Sequence, residues 1–418
     1  MNLVETFKNI LIVALSISAL VLTSGVQEST GVSFFWQEQG ESETVQTTVV
    51  QSQTTGVIPI AMMLTTTDED TIQQFGVQYN SLAMEELFLR HATLLQEGLT
   101  QGSQAISITQ AQFEKAITTP PAIYFDFLGE IPISVYAGWL TTEEEVQSNH
   151  IARRLAICAY QDGTALYYQG EGGAYLCPTP IIDLERLEKS LENTESNGTI
   201  FAFQNLDYQG LAPLTMLHAE LPTAMVYEAI SFATQEGEVE SLAEGFGFQF
   251  APNYQYTSSD ATVIRNGNHV LRLFYDGKVT YQVEGGSNSL YAVGESHYEM
   301  VEGCRQILER IHQNSEAKIY LDTITEQGEV TTITFLYTLN GSPVVFGEEE
   351  ISFTIQDHQI KGFTIPCRSY LQSTTSTSIL PIVQAQIVHD SLGYEGKELI
   401  LAYADRKGES VEIGWIAR

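Results

Sequence analysis

The chain has 418 residues, enough for two or three domains. It carries 52 acidic and 19 basic residues, a formal net charge of -33, which argues against a nucleic-acid-binding surface and against adsorption to anionic lipid headgroups. With 43% apolar and 10% aromatic residues, the acidity does not signal a disordered chain.

Ile10–Leu22, ILIVALSISALVL, is the first strong feature. Phe7 before it and Thr23–Val26 behind it extend the run to about the 20 residues of a spanning helix. Lys8 is the only base before Arg90, so the positive-inside rule puts Met1 in the cytoplasm and the chain after Val26 outside. A cleaved signal peptide and a soluble core helix are the rival readings. Glu5 in the short n-region, and the lack of a small-x-small site near Gly25, favour an uncleaved anchor over residues 1–26. No Cys follows the run, which excludes a lipobox. Ser16 and Ser18, with small Ala14 and Ala19 nearby, would let another helix approach closely. Residues 27–56 read as a polar tether rich in Gln, Thr and Ser. Phe34, Phe35 and Trp36 interrupt it, as an interfacial aromatic belt or a docking contact.

A first unit spans residues 57–222. Ser81–Leu99 reads as a helix with Leu87, Phe88, Leu94 and Leu95 at its apolar positions. Thr109 and Gln112 have capping-box spacing and open a short helix that Pro120 and Pro121 stop. Ala122–Phe127 and Ile131–Trp139 read as two β-rich runs. Leu155–Tyr160 and Thr164–Tyr168 flank Gln161-Asp162-Gly163, a hairpin signal. After Pro178 and Pro180 a helix carries Leu184, Leu187 and Leu191.

A second unit spans 223–418, with a further division near 288. Thr223 would cap a helix through Val226, Tyr227, Ile230 and Ala233. Thr262–Ile264 and Val270–Phe274 form a hairpin around Asn266-Gly267, and Asp276-Gly277 turns into Val279–Val283, making a three-stranded meander. Ser296 and Glu299 form a capping box before Met300, Val301, Cys304, Ile307, Leu308 and Ile311 at helical spacing. Strands follow over 318–325, 331–339, 344–346, 351–355 and 359–366, with turns at Asn340-Gly341 and Asp357-His358. Ile379–Val388 reads as a helix despite Pro381. Leu399–Ala404 and Ser410–Ala417 form the last hairpin. The pattern predicts an α+β fold: a membrane helix, then two or more domains of antiparallel hairpins with helices on one face of each sheet.

No catalytic constellation stands out, and no cofactor is expected. His150 beside Arg153 and Arg154 could hold an anion, but a structural ion-pair role is the commoner outcome. Asp126 and Glu130 could form a glycosidase-like carboxylate pair, yet such spacings arise by chance in so acidic a chain. The runs at 67–70, 143–145 and 348–350 lack the alternating ligands of a calcium loop. Ser315-Glu316-Ala317-Lys318 is an SxxK without its companion motifs. The four cysteines, Cys158, Cys177, Cys304 and Cys367, make no CxxC cluster and are expected to be unpaired.

Four stretches, in order, resemble the YycH family, with the related YycI family sharing the C-terminal part. They are the lead FKNILIVALSISALVLT; Ala122–Leu140, AIYFDFLGEIPISVYAGWL; Gly247–Val283 with LRLFYDGKVTY at Leu271–Tyr281; and YTLNGSPVVF at Tyr337–Phe346. The stretch from Val146 to Leu221 resembles nothing in that family. The resemblance implies a membrane-anchored extracytoplasmic regulator of a WalK-type (YycG) sensor histidine kinase controlling cell-wall metabolism in Gram-positive bacteria. It implies protein contact rather than catalysis, a YycI-like protein as a further partner, one helix in the membrane, and no nucleic acid. Contact is expected at Ser16 and Ser18, at Phe34, Phe35 and Trp36, and at Tyr254 and Tyr256, because an acidic surface needs apolar or aromatic anchors to hold a specific interface. The alternatives are a cell-envelope ligand-binding or sensor protein without a kinase partner, and an enzyme acting on wall polymers.

Overall fold

The computed structural model describes residues 58–140, 150–232, 237–251, 254–311, 315–347 and 349–418. The expected anchor and tether lie outside them. Among the described residues no helix is long and apolar enough to cross a membrane.

β1 (Ala61–Asp68) and β2 (Thr71–Gln78) form a hairpin whose turn residues, Glu69 and Asp70, both have positive φ. α1 (Ser81–Gln101) follows, capped by Asn80, whose side chain accepts from Ala83 N. β3 (Ile106–Ile108) leads to α2 (Gln110–Thr118), which opens on the Thr109–Gln112 capping box. β4 (Ala122–Pro132), β5 (Ile151–Tyr160), β6 (Gly163–Gly170) and β7 (Gly173–Pro178) complete an antiparallel sheet in the order β2-β1-β4-β5-β6-β7-β3.

Helices cover both faces of this sheet, not one. Phe88 of α1 meets Phe125 edge-on at 6.1 Å, and Gly98 of α1 sits so close over Ile157 that a Cβ there would lie 2.7 Å from its Cδ1. Phe113 and Ile117 of α2 instead share a core with Tyr124, Ala156 and Cys158. Neighbouring residues of a strand point to opposite faces, so α1 and α2 lie on opposite sides. The continuous apolar runs of β4 and β5 record this double burial, where a one-sided sheet would alternate.

Pro132 ends β4, and the next residues are helix α3 (Ile133–Leu140) rather than the expected strand. Its β-branched residues favour a strand, but tertiary packing overrides them. Ile133, Val135, Tyr136 and Ala137 are all buried. Later in the chain come α4 (Leu184–Ser190) and a two-stranded pair, β8 (Ile200–Phe201) with β9 (Met216–Leu217).

The expected helix after Thr223 is strand β10 (Ala224–Ser231). Tyr227, Ala229 and Ser231 are buried at a period of two, which decides the matter over the weaker helical spacing. α5 (Glu238–Gly245) and β11 (Gln255–Thr257) follow. β12 (Ala261–Asn266), β13 (His269–Phe274) and β14 (Lys278–Val283) form the expected meander inside a larger sheet. Its first turn is Gly267-Asn268, not Asn266-Gly267: Asn266 pairs with His269, and only Gly267 has positive φ, as a type II′ turn requires. α6 (His297–Ile311) carries the predicted capping box, with Ser296 Oγ accepting from Glu299 N at 3.2 Å. β15 (Lys318–Gln327), β16 (Val330–Leu339), β17 (Ser342–Val345), β18 (Ile351–Gln356) and β19 (Gln359–Pro366) follow the sequence expectation closely. The sheet runs β11-β12-β13-β14-β19-β18-β16-β15, antiparallel throughout.

β20 (Arg368–Thr377), β21 (Leu399–Ala404) and β22 (Ser410–Ala417) join β10 and β17 in a third set ordered β20-β10-β22-β21-β17. α7 (Ile382–Ser391) starts immediately after Pro381 and lies on it through Ala385, which shares a core with Leu399 and Trp415. A bulge in β4 between Asp126 and Ile131 carries the chain to the second sheet, where Glu130 bridges Thr323 of β15 in parallel. Gly129 makes this approach possible, since a Cβ there would sit 2.3 Å from the Asp322 carbonyl.

Candidate interaction surface

The β4 bulge is held by a buried charge cluster. Leu128 N donates to Asp126 Oδ1 at 2.8 Å. Arg153, on β5, donates from Nε to Asp126 Oδ1 at 2.8 Å and from Nη2 to Oδ2 at 2.9 Å. Arg154 Nε reaches Oδ2 at 3.2 Å. Glu398, just before β21, accepts from Arg153 Nη1 at 2.6 Å and Arg154 Nη2 at 3.2 Å. Two guanidiniums thus face two carboxylates, and the cluster ties the first sheet to the C-terminal segment. Burial alone would raise the Asp126 pKa; the two guanidiniums more than offset it and hold the carboxyl well below its usual range.

This geometry answers two sequence readings. Asp126 is 3% exposed and already paired, so it offers no acid or nucleophile to a polymer. Arg153 and Arg154 serve internal carboxylates and are not the core of an anion site. The SxxK and the described parts of the runs at 67–70 and 348–350 are structural as well, while the run at 143–145 lies outside the described residues. Ser315 Oγ accepts from Ala317 N and Tyr370 N, while Lys318 pairs with Glu85. Asp68-Glu69-Asp70 is a hairpin turn, and Glu349 accepts from Lys407 at 3.0 Å. All four cysteines are free and buried, and burial pushes each thiol pKa up. No cluster of three metal-ligating side chains occurs among the described residues.

A shallow groove lies beside β10, β20 and β22, lined by Val226, Glu228, Thr375, Thr377, Ser410 and Glu412 among others. Its lining is hydroxyls, one amide, one valine and the carboxylates of Glu228 and Glu412.

What the surface does offer is apolar and aromatic contact area. Tyr254 and Tyr256 sit two residues apart at the β11 edge, 48% and 50% exposed. Arg265, opposite them, is tied to Glu284 in a two-pronged pair. Ser16, Ser18, Phe34, Phe35 and Trp36 lie outside the described residues. A second area was not singled out in the sequence. Six of the seventeen exposed large hydrophobic residues among those described fall between Leu380 and Tyr394: Leu380, Val383, Ile387, Val388, Leu392 and Tyr394. The signal was present in PIVQAQIVH, which is apolar on every side of the helix it forms, whereas a helix covering a core is apolar on one.

No family model and no curated protein matches the sequence. One solved structure does resemble this one, the crystal structure of YycH from Bacillus subtilis. It aligns with a TM-score of 0.56 at 15% identity, covering 88% of this chain and 95% of that one.

Proposed function

We propose that this chain is a membrane-tethered, extracytoplasmic regulator of a WalK-type sensor histidine kinase, acting by protein contact on the control of cell-wall metabolism. The YycH-like fold over 88% of the chain carries the reading. It agrees with the order of the short sequence likenesses from the lead to Tyr337–Phe346. The burial and pairing of Asp126 also weaken the wall-enzyme alternative. In this reading the N-terminal helix lies in the membrane, the bulk of the chain lies outside, and a YycI-like protein is a further partner. Contact falls on Ser16 and Ser18 within the membrane, on Phe34, Phe35 and Trp36 of the tether, and on exposed aromatics such as Tyr254 and Tyr256.

The test is in vivo crosslinking of the full chain followed by isolation from membranes. A sensor kinase among the crosslinked species, with kinase output altered when the chain is deleted, supports the proposal. Recovery from the soluble fraction, or unchanged kinase output on deletion, refutes it.

A further inference from the structure

Glu130 lies in the β4 bulge, where its main chain bridges Thr323 of β15 and its side chain turns back onto the first sheet. Gly170, at the end of β6, leaves room for that carboxyl: a Cβ there would sit 2.5 Å from Glu130 Oε2 and 2.6 Å from the Ile151 carbonyl oxygen. Two acceptors therefore crowd one spot. Glu130 Oε2 is buried and has no hydrogen-bond partner among the described residues. The Ile151 carbonyl has no donor among them either. Pro132, opposite it on β4, carries no N–H, and the next donor, Ile133 N, goes to the His150 carbonyl at 2.9 Å. On the other side, β6 pairs with β5 only from Arg154 onward.

The groups around this spot are committed elsewhere. Arg153 and Arg154 of β5 serve Asp126 and Glu398. Tyr136 of α3 donates its hydroxyl to the Ala152 carbonyl at 3.0 Å. His150, just before β5, is engaged by the Tyr168 hydroxyl. Asp322 of β15 pairs with Arg418 at 2.8 Å. Glu171, in the β6–β7 turn, brings its N–H and a second carboxylate. A buried acceptor pair without a donor is costly, and a carboxylic acid, unlike a carboxylate, has an O–H to give. The electrostatics run the same way. Burial raises the Glu130 pKa and the Glu171 carboxylate adds to it, against the Glu171 N–H and the two arginines.

We infer that Glu130 is a proton-operated latch between the first and second sheets. As the acid it donates to the Ile151 carbonyl and pins the β4 bulge to the first sheet. As the carboxylate it faces that carbonyl with no donor between them, and the bulge and its bridge to Thr323 loosen. The sign follows from the raised folded-state value. The stabilisation is complete below the ordinary Glu range and is lost as pH rises through the folded-state pKa, so the junction is tighter in acid. His91 and His218, whose pKa values burial lowers, act with the opposite sign, since acid loosens their surroundings. This inference does not depend on the kinase reading.

The experiment is hydrogen exchange of the full chain in detergent at pH ~4 and pH ~8, read by mass spectrometry on peptides covering the β4 bulge and β15, with each rate divided by that of the unstructured peptide at the same pH. Glu130→Gln and Glu130→Ala are run beside the wild type. The amide of Gln keeps a donor at every pH, and Ala has none at any. The expected wild-type result is opening of the junction about fivefold greater at the higher pH than at the lower. Glu130→Gln should stay as closed at both pH values as the wild type in acid. Glu130→Ala should be open at both. A wild type whose junction opens equally at the two pH values, or more in acid, overturns the inference without any variant. A pH dependence of the wild-type size that survives in either variant does the same.

Discussion

Replacing Asp126 by Asn removes one charge from the buried cluster with little change in shape. Leu128 N still finds an oxygen, so the bulge keeps that bond. Arg153 and Arg154, with side chains 11% exposed, then share the single carboxylate of Glu398, with Arg154 keeping its bond to Gln169. Breaking a buried ion pair by removing one partner typically costs about 3–5 kcal/mol, because an uncompensated charge stays out of water. Unfolding entropy is about 2.1 cal/mol/K per residue, or roughly 0.76 kcal/mol/K for about 360 folded residues. The predicted loss in unfolding temperature is therefore about 4–7 °C by scanning calorimetry. The pH dependence gives an independent sign. Asp126 is depressed in the folded state, so its stabilisation is present above the ordinary Asp range and is lost as pH falls below it. Asp126→Asn should accordingly flatten the acid side of the stability profile below pH ~4. A change under about 1 °C with an unaltered acid limb would show that the cluster is too hydrated for this reasoning.

His91 and His218 are each held down to about 4 by burial, from an ordinary 6.5. The unfolded chain binds protons that these rings refuse, so stability should fall as pH drops from 6.5 towards 4; His218→Gln should make that limb shallower in urea titrations, and an identical slope contradicts the assignment. Gly129→Ala places a methyl group against the Leu321 and Asp322 carbonyls, 2.6 and 2.3 Å away, and should lower the unfolding temperature by several degrees and open the β4–β15 junction to limited proteolysis; an unchanged digest pattern counts against the junction's role. The four cysteines should resist alkylation in the native protein and all react once it is denatured without reductant; any disulfide-linked peptide in the mass spectrum contradicts this.

Local patterns made much of this fold legible. The bounds of β21 and β22 follow from the sequence, as do both capping boxes and the Asn340-Gly341 and Asp357-His358 turns, whose positive φ values suit a type I′ hairpin. Each of these is decided by residues within a few positions of one another. The failures share a longer range. α3 is made helical by the surfaces around it: Trp139 Nε1 donates to Glu302 Oε1 at 2.9 Å, and Gly138 packs directly on Tyr298. The β1–β2 hairpin went unassigned because its second strand, TIQQFGVQ, has Gln and Gly where a clear alternation would show. The Asp126 cluster was invisible because no spacing rule connects Arg154 to Glu398. Tyr254 and Tyr256 were singled out from composition and are exposed, while α7 was read only as a helix.

The wiring of the Asp126 cluster has a consequence for biosynthesis. Arg154 and Glu398 are 244 positions apart, and Tyr79, whose hydroxyl accepts from Leu401 N, waits for a partner 322 positions later. At about 5–20 residues per second, roughly 12–50 s pass between the emergence of the two arginines and that of the second carboxylate. During that interval the first sheet holds two guanidiniums against one carboxylate, an imbalance that disfavours closing over them. Nascent chains truncated before Glu398 are thus natural clients for holding chaperones, and early stop codons in this region should yield degraded product rather than a stable N-terminal fragment.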